Sequence, residues 1–239
     1  LEEVDAEKSL DWAREQNRLT DEVLTVRPEF TELRDRFLGV LNDKERIIYP
    51  NITGEMSYNL WQDEKNERGL WRRMSKKDYL AGKDVWETVL DLDLLSAEEG
   101  KKWVFGGASW LGPENRYCLL WLSDGGKDES YIREFDAVEK KFVEGGFSIP
   151  ESKGSAAWVD RDQILVATNY GPGTMTSSGY PAMAKLWKRG EDPANAVTMH
   201  ITDTANMGIF VSGGEVNGKQ YVFLSDNIGF YESSTYLLT

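Results

Sequence analysis

Serine hydrolysis needs its nucleophile on a sharp Gly-x-Ser-x-Gly turn that lifts the oxygen clear of the strand. The nearest strings in this chain, Gly107-Ala108-Ser109-Trp110-Leu111 and Gly154-Ser155-Ala156, do not fit that pattern. Any triad would have to recruit His200, the single histidine. His200 stands in the alternating run Val197-Thr198-Met199-His200-Ile201 and reads as a structural or surface residue of a strand. The single cysteine, Cys118, lies in Tyr117-Cys118-Leu119-Leu120-Trp121-Leu122 and reads as an inert thiol in a buried strand. One cysteine excludes an intramolecular disulfide and a CxxC motif, and one histidine leaves almost no room for zinc.

Carboxylates are more plentiful. Asp91-Leu92-Asp93 alternates, so the pattern predicts both acids on one strand face, where unequal surroundings would divide acid and base roles. The alternative is an Asp at a strand end before a turn. Asp63-Glu64-Lys65-Asn66-Glu67-Arg68 mixes signs as a solvated hairpin loop does. Gly171-Pro172-Gly173, with Thr174, Thr176, Ser177 and Ser178 after it, suggests a phosphate cradle but lacks the lysine and the helix of a P-loop. Asn51-Ile52-Thr53 matches a glycosylation sequon, meaningful only in a secreted eukaryotic chain. The residues therefore predict no catalytic group, no metal ligand and no cofactor, and leave the substrate-binding residues unassigned.

The elements that must carry these residues follow from composition and period. With 28 basic and 41 acidic residues among 239, the net charge of −13 argues against nucleic acid, whose phosphates need clustered Lys and Arg. No run approaches the ~18 apolar residues of a membrane span. Leu1-Glu2-Glu3 opens an acidic segment unlike a signal peptide, so the expected compartment is the cytoplasm, or the periplasm if a signal peptide has been removed. Nine Trp, ten Tyr and nine Phe suit strands and sheet packing.

Between Asp5 and Leu24 a helical step gathers Leu10, Trp12, Ala13, Leu19, Val23 and Leu24 on one side. Pro28 and Glu29 then suit a helix start, and Phe30, Leu33, Phe37, Val40 and Leu41 form a second stripe. After Asn42 the period falls towards two. The runs Arg46–Tyr49, Met56–Gln62, Gly69–Met74, Trp86–Leu92, Lys102–Ser109, Tyr117–Ser123 and Tyr131–Asp136 read as strands. So do Lys141–Glu144, Ala156–Val159, Gln163–Asn169, Met183–Lys188, Val197–Ile201, Gly208–Val211 and Gln220–Leu224. Gly125-Gly126, Gly145-Gly146, Gly171-Pro172-Gly173 and Gly213-Gly214 punctuate them. Strands without helices between them favour antiparallel sheet.

Unit starts near Gly54, Ala108, Ala156 and Met207 lie 54, 48 and 51 residues apart, and two share a small-small-Trp signature, Ala108-Ser109-Trp110 and Ala156-Ala157-Trp158. A period near fifty with about four strands per unit is propeller-like, and a β-sandwich with coincidental spacing is the alternative. The expected organisation is a helical segment over 1–42 and a partial, mainly β propeller of about four blades over 43–239.

Several strings resemble the prolyl oligopeptidase family of serine peptidases. Leu1-Glu2-Glu3 and Leu10-Asp11-Trp12-Ala13-Arg14-Glu15-Gln16-Asn17 resemble its first helix. Gly69-Leu70-Trp71-Arg72-Arg73, Trp86–Asp93, Arg133-Glu134-Phe135-Asp136, Gly145-Gly146-Phe147, and Gly171-Pro172-Gly173 with Gly179-Tyr180-Pro181 resemble early blades, in order across nearly the whole chain. The resemblance implies a seven-bladed propeller joined to an α/β-hydrolase domain that holds the Ser-Asp-His triad. That domain is expected to lie beyond this chain, which ends in Ser234-Thr235-Tyr236-Leu237-Leu238-Thr239, a string still reading as strand. The missing elbow and the single histidine agree with a piece of a longer protein. The implied role is a cover over the active-site cavity that admits short peptides. The implied partners are the hydrolase domain and peptide substrate, and open blade edges would favour homo-oligomers. Two other functions fit the aromatic strands or the acids: a self-contained propeller that binds protein or carbohydrate, and a propeller glycosidase using Asp91 and Asp93.

Overall fold

The computed structural model describes residues 3, 6–45 and 47–238. Leu1, Glu2, Asp5, Arg46 and Thr239, which enter the expectations above, lie outside them. Two compact units divide between Ile48 and Tyr49.

In the first unit, helix α1 (Glu7–Leu24) starts without a side-chain cap and carries Glu7 in its first turn. Arg14 pairs with Glu7 and Asp11, and Arg18 with Glu15 and Glu22, all on exposed surface worth little each. Helix α2 (Pro28–Leu41) starts on Pro28 as expected, because proline lacks the N–H that a first turn leaves unpaired anyway. Neither helix contains a buried residue. Both apolar stripes stand open, with Trp12, Val23, Leu33 and Phe37 each about half exposed or more. Ile47–Tyr49, within the run expected as strand, is irregular backbone, with Ile47 and Tyr49 exposed ahead of Pro50.

The second unit is a run of antiparallel meanders. The first sheet joins β1 (Asn51–Thr53), β2 (Met56–Trp61), β3 (Leu70–Ser75) and β4 (Glu87–Asp91) in that order. The second joins β5 (Trp103–Trp110), β6 (Tyr117–Asp124), β7 (Ser130–Asp136) and β8 (Lys141–Phe142), and β9 (Ser148–Ser152) continues along β7 beyond β8. The third joins β10 (Ser155–Trp158), β11 (Gln163–Ala167), β12 (Met183–Lys188) and β13 (Val197–Ile201). The fourth joins β14 (Gly208–Val216), β15 (Lys219–Asn227) and β16 (Ser233–Leu238). First strands begin at 51, 103, 155 and 208, intervals of 52, 52 and 53, so the repeat is more regular than the sequence reading.

Two short helices correct the expectation of strands alone. Helix α3 (Lys76–Leu80) is capped by Ser75, which accepts from the Asp78 amide and donates to its carboxylate. Helix α4 (Leu92–Glu99) links the first sheet to the second, capped by Asp91 and closed by Gly100 at φ 65°. Asp91 and Asp93 therefore do not share a strand face. Asp91 accepts from the Leu94 amide, and Asp93 from the amides of Arg68 and Gly69. Their alternation came from a helix start, with Leu92 and Leu95 buried beneath it.

Apolar runs without alternation mark the sheets covered on both sides. Along β6, Cys118, Leu120 and Leu122 join Tyr58, Trp71 and Leu92 of the preceding repeat, while Leu119 turns to Trp158 and Ile164 of the next. Along β11, Ile164 and Val166 face the second sheet, and Leu165 and Ala167 face Ile209, Val211 and Leu224 of the fourth. Each sheet thus packs face to face on its neighbours, and three cores occupy three seams.

Candidate functional site

The first strands β5, β10 and β14 lie side by side, and the seams radiate from them. Across the first seam, the Arg73 guanidinium donates to the Ala137 carbonyl at 2.7 Å and pairs with Glu87 at 2.5 Å, which Lys140 also approaches at 2.8 Å. The two small-small-Trp signatures do the same work one seam apart. Trp110 packs on Tyr58 with ring centroids 4.7 Å apart. Trp158, fully buried, packs edge-on to Phe147 and donates its indole N–H to the Ser109 carbonyl at 3.0 Å.

The second seam holds a buried ion cluster. Glu134 on β7 has no exposed side-chain surface, yet Arg161 donates to it at 2.5 Å, Arg189 at 2.9 Å and the Phe147 amide at 2.9 Å. Arg161 lies over the Tyr117 ring and Arg189 over Phe147, so both guanidiniums are stacked as well as paired. Burial pushes the Glu134 carboxyl above the ordinary glutamate value, against the pull of the Phe147 amide and Arg161. Sequence reading missed this cluster. The signal was a glutamate two residues after Ile132, hence on the same face of β7, in a stretch where Glu134, Phe135 and Asp136 are all buried.

The residues singled out for chemistry are dispersed over different sheets. In the third seam His200 Nε2 donates to Asp226 at 2.8 Å, while Thr202 donates to the other oxygen at 2.6 Å and the Asn206 amide donates to Thr202 at 2.7 Å. This chain of bonds ties β13 to β15. Cys118 is sealed in the first core, and burial pushes its thiol well above the usual range, which leaves it unreactive. Ser109 lends its carbonyl to Trp158, and Ser155 lends its hydroxyl to the Val211 amide at 2.9 Å. In the Gly171-Pro172-Gly173 loop, Thr174 accepts from the Tyr170 amide and donates to the Gly171 carbonyl, so it turns inward to its own loop. The Asp63–Arg68 loop is a hairpin connection as expected. The Trp61 indole N–H and the amides of Lys65 and Asn66 hold the Asp63 carboxyl well below the usual carboxylate range. Asn51 lies exposed on β1.

A cavity of about 230 Å³ opens at the second seam between Ile149, Pro150, Tyr170, Trp187 and Pro193. Its polar groups are already engaged: Asp192 accepts from the Ala194 amide, Asn169 from the Gly171 amide, and Trp187 donates to the Glu191 carbonyl. Among the described residues no three His, Cys, Asp or Glu side chains are grouped to hold a metal, and no helix is long and apolar enough to cross a membrane.

Comparison with known proteins decides what this arc of sheets is. Residues 1–238 match the prolyl oligopeptidase N-terminal β-propeller domain. The chain belongs to that family. A curated peptidase of Sinorhizobium fredii is 41% identical over 198 residues, 82% of this chain and 27% of that protein. A peptidase of Rickettsia prowazekii is 32% identical over 251 residues, all of this chain and 34% of that protein. The solved structure of a post-proline cleaving enzyme from Rickettsia typhi superposes with a TM-score of 0.90 at 31% identity, covering 100% of this chain and 36% of that enzyme. The chain thus spans about a third of the length of the relatives it matches. In prolyl oligopeptidase terms the four sheets are propeller blades, which bears out the family resemblance and the partial, mainly β propeller expected from the fifty-residue period.

Proposed function

We propose that this chain is the non-catalytic N-terminal propeller portion of a prolyl oligopeptidase-like serine peptidase, covering the active site and filtering peptide substrates. One observation carries the reading: full-length agreement with about a third of a post-proline cleaving enzyme, at 31% identity and a TM-score of 0.90. Dispersal of His200, Cys118, Ser109 and Ser155 into separate structural duties supports a chain without its own triad. The open stripes of α1 and α2, with Trp12, Leu33 and Phe37, suit docking to a hydrolase domain supplied by the rest of such a protein.

The test is a proline-containing chromogenic peptide. The full-length protein carrying this chain is expected to hydrolyse it, and the 239-residue chain alone to leave it intact. Turnover by the chain alone, abolished by a serine-directed inhibitor, would overturn the non-catalytic reading.

A further inference from the structure

The cavity at the second seam is walled by rings. Tyr170 and Trp187 come from blade 3, Pro150 from β9 of blade 2 and Pro193 from the 3-10 turn Pro193–Asn195, with buried Ile149 and Val166 behind them. Each wall is already fixed. The Tyr170 hydroxyl donates to the Val166 carbonyl at 3.0 Å, and the Trp187 indole N–H to the Glu191 carbonyl at 2.8 Å. Lys185 donates to the Ala194 carbonyl at 3.1 Å and lies over the Tyr170 ring, which ties the turn to β12. Asp192 caps the same turn through the Ala194 amide. A slot held in this way loses little freedom when it binds.

The same bonds decide what the slot accepts. Thr168 is bonded to the Ser152 hydroxyl and Asn169 accepts from the Gly171 amide, so the lining side chains turn their polarity inward. A ligand that buried hydroxyls or an N–H there would lose its water without gaining a side-chain partner. At about 230 Å³ the space is below the roughly 300–1,000 Å³ of a whole small-molecule site and suits a ring or two. At its mouth Asp192, with Glu191 beside it, is exposed and forms no ion pair among the described residues, on a chain of net charge −13.

We propose that this slot binds a proline-containing segment in the polyproline II conformation, with a basic residue next to the prolines facing Asp192 and Glu191. Proline fits on three counts. Its ring is apolar and packs on aromatic faces, it brings no amide hydrogen to bury, and its extended helix is formed before binding. This binding involves no bond cleavage and stands apart from the peptidase reading.

Calorimetry on the full-length protein tests the site, after treatment with a serine-directed inhibitor so that no peptide is cut. The probe is hexaproline-arginine capped at both ends, compared with hexaalanine-arginine. The proline peptide is expected to bind at least about tenfold tighter than the alanine peptide, and Ala194→Leu, which adds bulk at the slot wall, to weaken it at least about tenfold. Asp192→Asn keeps a capping side chain; it should weaken the arginine peptide about threefold and leave capped hexaproline unchanged. Equal binding of the proline and alanine peptides overturns the site, as does unchanged binding in Ala194→Leu. If Ala194→Leu melts early, Asp192→Asn decides, and an unchanged affinity for the arginine peptide there overturns the site.

Discussion

Replacing Glu134 with alanine is expected to be among the most damaging single changes in this chain. The side chain is fully buried and is the shared acceptor for Arg161 and Arg189. Removing it leaves Arg161 and Arg189 without their buried partner, with only the exposed Asp162 carboxylate 3.5 Å from Arg189, and because both guanidiniums reach solvent the loss falls at the low end of the range for a broken buried pair, about 3 kcal/mol. At roughly 2–4 °C per kcal/mol for a unit of this size, the melting temperature should fall by about 10 °C. Glu134→Gln keeps the shape and the acceptor for the Phe147 amide, so it should cost less. A Glu134→Ala, Arg189→Ala double-mutant cycle reads the coupling between the partners, because removing the second partner relieves the first loss. A thermal melt of Glu134→Ala within a degree of the unmodified protein would show that the cluster holds nothing together.

The second large effect falls on Trp158. It is fully buried, edge-on to Phe147, and reaches back to the Ser109 carbonyl of the preceding blade. Trp158→Ala removes a large aromatic from a two-sided core and should cost about 3–5 kcal/mol. Trp158→Phe keeps most of the contact but leaves the Ser109 carbonyl without its indole donor, at about 1–3 kcal/mol. Blades contact chiefly their sequence neighbours, so weakening one seam should also uncouple the two sides of it. Urea unfolding of Trp158→Ala should then broaden or split into two transitions. A single sharp transition at the original midpoint would refute the assignment of Trp158 as a seam anchor.

Much of the blade arc was legible because it rests on period. The fifty-residue repeat, the two small-small-Trp signatures and the uninterrupted apolar runs of β6 and β11 all reflect sheets stacked face to face. What escaped was set by contacts beyond the local pattern. Asp91 and Asp93 alternate like strand residues, yet Asp91 caps α4 and the buried Leu92 and Leu95 hold the helix down. Gly213-Gly214 looked like a turn and ended the expected strand at Val211. Gly213 instead stands inside β14 because a Cβ there would lie 2.7 Å from the Tyr221 carbonyl and 3.2 Å from Ala157. The outer strand of blade 2 was read only at Lys141–Glu144, since the loop at Gly145-Gly146 interrupts it before β9 resumes pairing with β7. Glu134 escaped because its partners arrive from positions 161 and 189, which only the fold brings to it.

We propose that this propeller filters what reaches a post-proline peptidase site in the full-length protein. This is tested most directly by measuring kcat/KM of the full-length protein for one post-proline bond presented in a short peptide and in a folded protein domain. The short peptide should be cleaved efficiently and the domain left intact, with cleavage restored when the same segment is released as a peptide. Equal rates on the folded domain and the short peptide would show that the propeller does not filter.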